Sequence, residues 1–123
     1  MNILALDIGQ KRTGASFVDT SHNVPVPLPT IHHTSRNTCI TSIIKLINER
    51  SIDHVVIGMP YLLSGAEGKQ ARYIRGIVRD IPFPKHISYS YIDERYSSPR
   101  EKSLDADAEA ALVLLQMYLD KNS

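Results

Sequence analysis

The segment from Asn2 to Asp7 is rich in Ile and Leu and shows almost no alternation between apolar and polar residues. Such a run is typical of a strand that is buried on both faces. A second short apolar run, from His54 to Gly58, predicts another buried strand. Strands of this kind need cover on both faces of their sheet, so we expect an α/β fold with flanking helices.

The remaining elements divide the chain into a hairpin-rich beginning and an alternation of helices and strands. A strand is predicted from Gly14 to Val18, followed by an imperfect one that ends near Ile31. Pro25, Pro27 and Pro29 restrict that third strand to a sheet edge or to irregular structure. The spacing of apolar residues and the positions of capping and helix-ending residues predict helices over 37–49, 65–81 and about 106–120. They also predict a strand over 87–92. Asn37 or Thr38 is the expected N-cap of the first helix.

Composition places the chain among ordinary globular domains. The 123 residues carry 14 Lys+Arg and 13 Asp+Glu, a formal charge of +1, and 42% of them are hydrophobic. This length and composition predict a single domain that spans residues 1–123. A charge near zero argues against bulk electrostatic coating of nucleic acid but allows local basic patches. A single cysteine, Cys39, and no signal-like or membrane-length apolar run predict a cytoplasmic protein without a membrane partner.

Acidic residues occur at three predicted element ends. Asp7 ends the first strand, Asp93 and Glu94 follow the 87–92 strand, and Asp105 and Asp107 stand at the start of the last helix. Each has a structural explanation, as a turn residue, a surface ion pair or a helix cap. The Asp7 loop also suits a Mg²⁺ ligand or the first phosphate loop of an actin-like or sugar-kinase ATPase. Three acidic clusters together are what a two-metal phosphodiester site requires.

A glycine- and proline-containing loop precedes a basic helical face. The segment from Val56 to Gly68 contains Gly58, Pro60, Gly65 and Gly68, a composition whose backbone amides can face an anion. Beyond it, one face of the predicted helix carries Lys69, Arg72, Arg75 and Arg79. That face either follows a phosphate backbone or is simply solvated.

Four sequence stretches, in order, resemble the YqgF family of ribonuclease-H-like proteins, which are known as pre-16S rRNA nucleases and as RuvX-type Holliday junction resolvases. They are LALDIGQKRTGAS, VVIGMPYLLSGAEGKQA, IDERYSS and DADAEAALVLLQMYLD. The resemblance implies a ribonuclease-H-like mixed sheet with three antiparallel N-terminal strands. It also implies that Asp7, Glu94 and Asp107 are catalytic residues and that they bind two metal ions, either Mg²⁺ or Mn²⁺. The nucleic-acid contacts assigned with it are Lys11, Arg12, Lys69, Arg72 and Arg95.

The chain departs from the family pattern in two places. Only the segment from Tyr96 to Ala106 joins Arg95 to Asp107, where family members carry a longer segment with a helix. Gln10 stands where a small hydroxyl residue is common. The shortened segment removes or replaces the substrate contacts made by that helix.

Three functions follow from the sequence. The first is a metal-dependent nuclease that processes the 5′ end of pre-16S rRNA, and the second is a resolvase of four-way DNA. The third is a nucleic-acid-binding module without catalysis. The ATPase alternative fails on size, because actin-like ATPases bind nucleotide between two lobes and this chain supplies one. The partner is structured nucleic acid, either pre-rRNA or branched DNA, and the protein is a monomer or a homodimer, the latter favoured by cleavage of two symmetric strands.

Overall fold

The structure is a computed structural model that describes residues 1–94 and 106–122. Within these residues the strands and helices follow one another in the order that the sequence predicts: three strands first, and then helices and strands in alternation. The strands are β1 (Asn2–Ile8), β2 (Arg12–Asp19), β3 (Val26–His32), β4 (His54–Met59) and β5 (Ser88–Asp93). The helices are α1 (Arg36–Glu49), α2 (Lys69–Asp80) and α3 (Ala106–Lys121).

The strands form one mixed sheet in the order β3-β2-β1-β4-β5. The first three strands are antiparallel, whereas β4 runs parallel to both β1 and β5. The predicted fold class, a mixed sheet opened by three antiparallel strands, is therefore confirmed. The first strand of the chain lies at the centre of the sheet, as its apolar sequence indicates.

Proline explains the position of β3. Pro27 and Pro29 lie within this strand and cannot donate backbone hydrogen bonds, so the strand can pair on only one side. It forms the sheet edge beside β2, and its register shifts between Thr13 and Ala15 of that partner.

Two apolar cores lie on opposite faces of the sheet. Helices α1 and α2 cover one face, where Leu4 and Leu6 of β1 belong to the same buried cluster as Ile43 and Ile74. Helix α3 covers the other face, and its buried residues cluster with Ile3, Ala5, Val18, Val56 and Ile92. Because successive residues of a strand alternate between faces, Asp7 lies on the α3 face with Ile3 and Ala5.

Two helix starts differ from the sequence prediction. The cap of α1 is Ser35 and not Asn37 or Thr38; its hydroxyl accepts from the amide of Thr38, whose own hydroxyl accepts from the amide of Ser35. Helix α2 begins at Lys69 and not near Gly65, since Gly65 has a φ of 91° and lies in the preceding loop. None of the helices in the described part of the chain is long and apolar enough to span a bilayer.

Candidate active site

Asp7 stands near the C-terminal end of the central strand. Its antiparallel partner is Gly14 of β2, and it follows Leu6, whose parallel partner is Ile57 of β4, so Gly58 lies beside it. The side chain is half-buried, and burial raises the pKa of its carboxyl, with a further increase from the negative charge of Asp107. The sheet therefore holds one carboxylate in a fixed position between β2 and β4.

Glu94 directly follows β5, and its side chain lies near Gly58 of the neighbouring strand β4. Its backbone amide donates to the carbonyl of Met59 at 3.2 Å. A Cβ atom added to Gly58 would lie 3.0 Å from Glu94 Oε2 and 2.7 Å from Leu114 Cδ1, so a larger residue here would require the ends of these two side chains to shift. Burial raises the pKa of Glu94 to about 7, and the charges of Asp7 and Asp93 contribute to the increase.

Asp107 lies in the first turn of α3, which packs directly on β2. A Cβ atom at Gly14 would overlap the main-chain carbonyl of Asp107. The helix makes a second contact with β2 at Ala111, four residues after Asp107. There the buried hydroxyl of Ser16, on β2, donates to the carbonyl of Ala111 at 2.7 Å. These two contacts fix the N-terminal half of α3 over the strand that neighbours Asp7.

The three carboxylates form two pairs that share Asp7. Asp107 raises the pKa of Asp7, and Asp7 in turn raises the pKa of Glu94, so Asp7 interacts with a carboxylate on each side. Among residues 1–94 and 106–122, no His, Cys, Asp and Glu side chains form a group of three or more that could hold a metal ion. The structure thus brings the predicted acids to one face of the sheet as two neighbouring pairs and not as one three-ligand group.

The predicted basic residues have different surroundings. Arg12 lies 3.0 Å from Asp107 through its Nε and Oδ2 atoms, while Lys11 is exposed in the β1–β2 turn. Lys69 and Arg72 are exposed at the beginning of α2, and Arg72 donates to the carbonyl of Glu67 at 3.0 Å. Arg95, like Asp105, lies outside the described residues. Arg12 therefore binds one of the candidate acids, although the sequence suggested a phosphate contact.

Sequence reasoning missed three features of the site region. Gly14 allows the main chain of α3 to approach β2, and Gly58 lies under the side chains of Leu114 and Glu94, a role that glycine inside a predicted strand could have indicated. Gln70 donates from Nε2 to the carbonyl of Ile8 at 3.2 Å and connects α2 to the end of the central strand; no sequence pattern indicates that bond. Aromatic side chains of β5 lie beside the arginines of α2, and their signal was the Tyr89-Ser90-Tyr91 alternation.

Comparison with known proteins decides the family. The model of the RuvX family, described as Holliday junction resolvase, matches residues 1–121. The chain belongs to the RuvX family. A RuvX relative from Synechocystis sp., named "putative pre-16S rRNA nuclease", is 32% identical over 95% of this chain and 86% of its own length. A protein of the same name from Sulfurihydrogenibium sp. is 36% identical over 98% of this chain and 91% of its own. The resemblance to this nuclease family seen in the sequence, and with it the enzyme class of phosphodiester hydrolase, is confirmed.

Two solved structures of RuvC have the same fold as this chain. RuvC of Thermus thermophilus superposes with a TM-score of 0.64 at 10% identity, covering 99% of this RuvX chain and 97% of RuvC. The complex of T. thermophilus RuvC with a Holliday junction substrate gives a TM-score of 0.60 at 11% identity, over 91% of this chain and 90% of that one. Identities this low establish the fold alone, and they confirm the ribonuclease-H-like prediction.

Proposed function

We propose that this RuvX-family nuclease uses Asp7, Glu94 and Asp107 to cleave structured nucleic acid, with the 5′ end of pre-16S rRNA as its substrate. The observation that supports the proposal most strongly is the placement of these acids. They come from β1, the end of β5 and the start of α3, yet Asp7 interacts electrostatically with both of the others. The names of the full-length relatives support the choice of substrate.

The donor set fits divalent cations. Mg²⁺ is usually held by one or two carboxylates together with water and substrate phosphate oxygens, so a pair of acids suffices for each ion. We assign Asp7 and Asp107 to one ion and Asp7 and Glu94 to the other, with Mg²⁺ or Mn²⁺ as the metal. The Arg12 guanidinium already lies against Asp107, which indicates that this carboxylate accepts a cationic partner. When bound, two such metal ions would activate water and stabilise the leaving oxygen of a phosphodiester.

The chain's own residues prepare that chemistry by holding charge and protons. With a pKa of about 7, the Glu94 carboxyl still carries a proton in a large fraction of molecules at neutral pH. Asp7 and Glu94 would hold a cation in their deprotonated form, so metal affinity would increase with pH. If Asp107 held the second cation, the Arg12 guanidinium would be available to bind a phosphate of the substrate.

The other basic residues position the substrate. Lys11 is exposed in the turn that follows Asp7, and Lys69 and Arg72 are exposed on the first turn of α2. We assign these side chains, with Arg12 and Arg95, to contacts with substrate phosphates. Such contacts fix the register of a nucleic acid but carry no sequence information.

Cleavage assays with the Asp7→Asn variant test the proposal. The protein is incubated with Mg²⁺, with Mn²⁺ or with EDTA and a labelled pre-16S 5′ leader. We expect the parent to cleave only with metal, and the variant to lose orders of magnitude in rate while it retains binding. Asp120→Asn, at the opposite end of α3, is the matched control and should cleave like the parent. Metal-dependent cleavage at the parental rate by Asp7→Asn would contradict the catalytic assignment.

Holliday junction resolution is the second candidate, supported by the description of the RuvX family and by the junction-bound RuvC structure. A four-way DNA junction is the second substrate in the same assay, and cleavage of this substrate alone would favour resolution by a homodimer over rRNA processing by a monomer. If the parent binds both substrates but cleaves neither, the chain is a binding module. We also propose a cytoplasmic location, since the buried Cys39 thiol is free and suits a reducing compartment.

A further inference from the structure

An open groove lies between α2 and the edge strand β5, on the face of the sheet opposite to the carboxylates. Its volume is about 750 Å³, which is within the range of ligand-binding clefts, about 300–1,000 Å³. Tyr91 on its floor packs with the α1/α2 core, whereas the neighbouring Ile92 packs with α3, and the Glu94 side chain lies near the same side of Gly58 as Leu114 of that helix. The groove is therefore separate from the candidate active site.

Aromatic rings form one side of the groove. Phe83 and Tyr89 are stacked, with ring centroids 5.1 Å apart and planes at 21°, and Tyr91 meets Tyr89 edge-on at 5.9 Å. Tyr89 nevertheless remains 46% exposed, a large fraction for an aromatic residue that contacts two other rings. A partly exposed stack of this kind offers a surface to which a further flat ring can be added.

Arginines form the other side. Arg72, Arg75 and Arg79 lie on one face of α2 and line the groove. Arg75 is held in place by Glu67 at 2.6 Å and lies over the Tyr91 ring at 4.7 Å. By contrast, Arg72 donates to a neutral carbonyl, and the Arg79 side chain is 76% exposed although its Nε lies 3.3 Å from Asp80 Oδ1. These two guanidinium groups are accessible to an anionic ligand.

Charge at the groove is positive even after its ion pairs are counted. Glu67 pairs with Arg75, and Asp80 contacts both Arg79 and Arg36, the latter through a close ion pair. Together with Arg72, this set has four guanidinium groups and two carboxylates, an excess of two positive charges. The excess excludes a cationic or purely apolar ligand as the preferred occupant.

We propose that this groove binds single-stranded polynucleotide, with bases stacked on the Phe83–Tyr89 pair and phosphates bound by Arg72 and Arg79. Aromatic platforms beside a positively charged track are the two elements with which proteins hold single strands without sequence preference. The binding does not require the carboxylates, so it can be measured without cleavage; of its residues, Arg72 is shared with the substrate contacts proposed above. It gives the protein a second contact with any substrate that has a single-stranded flank.

The first test measures binding to the aromatic side. Labelled oligouridylate and oligodeoxythymidylate of about 12 nucleotides are titrated in EDTA, and fluorescence anisotropy gives their affinities. Tyr89→Leu keeps an apolar side chain but removes the ring, and we expect it to weaken binding about 5- to 150-fold. Tyr89→Phe keeps the ring and should bind within about twofold of the parent. Comparison of the two oligonucleotides shows whether RNA or DNA is preferred.

The second test measures the phosphate contacts. Each phosphate contact on a single strand contributes about 0.7 to the slope of log affinity against log salt concentration, so Arg79→Gln should reduce that slope by about 0.7. Lys45→Gln is the matched control, since it removes an exposed, ion-paired positive charge on α1 outside the groove, and its slope should equal that of the parent. Thermal melting confirms that all variants are folded.

Two outcomes overturn the proposal. If Tyr89→Leu binds both oligonucleotides as tightly as the parent, the groove does not hold a single strand. If light scattering shows instead that the parent is a dimer that Tyr89→Leu converts to monomer, the groove and its edge strand bind a second copy of the chain. Neither result affects the cleavage assay with Asp7→Asn, because these measurements are made without metal.

Discussion

Substitution of Glu94 by Gln should stabilise the protein at alkaline pH and not at acidic pH. The Glu94 carboxyl has a pKa of about 7 in the folded protein against an ordinary value of 4.5, so the folded state binds its proton more tightly than the unfolded state does. Between these two pKa values the unfolded state loses its proton first, and the free energy of unfolding therefore decreases as pH rises. Glutamine has the same shape without a charge and abolishes this decrease.

The magnitude follows from the two pKa values. Each pKa unit corresponds to about 1.4 kcal/mol, so the full difference corresponds to about 3.4 kcal/mol above pH 7. Because the carboxyl is only partly buried and solvent screens part of the interaction, we expect a measured gain of about 2 kcal/mol. At pH 4.5 the same substitution should change stability by less than about 0.5 kcal/mol.

Urea denaturation of the parent and the variant at pH 4.5 and pH 8.5, in EDTA, measures this difference. Other titrating groups are present in both proteins and largely cancel when the variant is compared with the parent at each pH. Glu49→Gln, an exposed carboxylate on α1 that pairs with Lys45, is the control and should change stability by less than about 0.5 kcal/mol at both pH values. An equal effect of Glu94→Gln at the two pH values would refute the assignment of this carboxyl as a buried acid beside Asp7.

Three further perturbations have defined expectations. Gly14→Ala should destabilise the protein by about 1–3 kcal/mol in urea and reduce cleavage, because the added methyl group overlaps the Asp107 carbonyl; unchanged stability would show that α3 is not packed there. Ser16→Ala removes the buried hydrogen bond to Ala111 and should lower the free energy of unfolding by about 1 kcal/mol in the same assay. An unchanged free energy of unfolding would show that this bond is absent. Removal of Mg²⁺ by EDTA should lower the melting temperature more at pH 8.5 than at pH 5.5, because the protein binds metal through deprotonated carboxylates; an equal shift at both pH values would contradict that coupling.

The fold was largely predictable because its strongest signals are local. An apolar run without alternation placed β1 inside the sheet, and the alternate prolines of β3 placed that strand at an edge. The start of α2 was wrong because a loop of small residues, with Gly65 at positive φ, resembles a helix N-terminus in composition. The α1 cap was displaced by two or three residues because several hydroxyl and amide residues in succession could all serve as a cap.

The sequence names the acids of the candidate site but not their arrangement. Asp7 and Glu94 were named because they stand at the ends of predicted strands and, with Asp107, in motifs that resemble those of the family. The Asp7–Glu94 pair depends on the β1–β4–β5 register, and the Asp7–Asp107 pair depends on the packing of α3 on β2. No local pattern specifies either. The Arg12–Asp107 pair and the aromatic groove depend on which elements become neighbours, and that is determined by packing over the whole sheet.

The position of α3 at the end of the element order has a consequence for biosynthesis. The five strands that the structure describes within residues 1–94 leave the ribosome before this helix, so a nascent chain that ends before Ala106 contains Asp7 and Glu94 but lacks Asp107. The same chain exposes the apolar surface of Ile3, Ala5 and Val18 that the helix covers in the complete fold. An unfinished chain of this kind lacks one of the three acids that we propose for catalysis and exposes an aggregation-prone surface, so we expect it to cleave nucleic acid only after α3 has been synthesised.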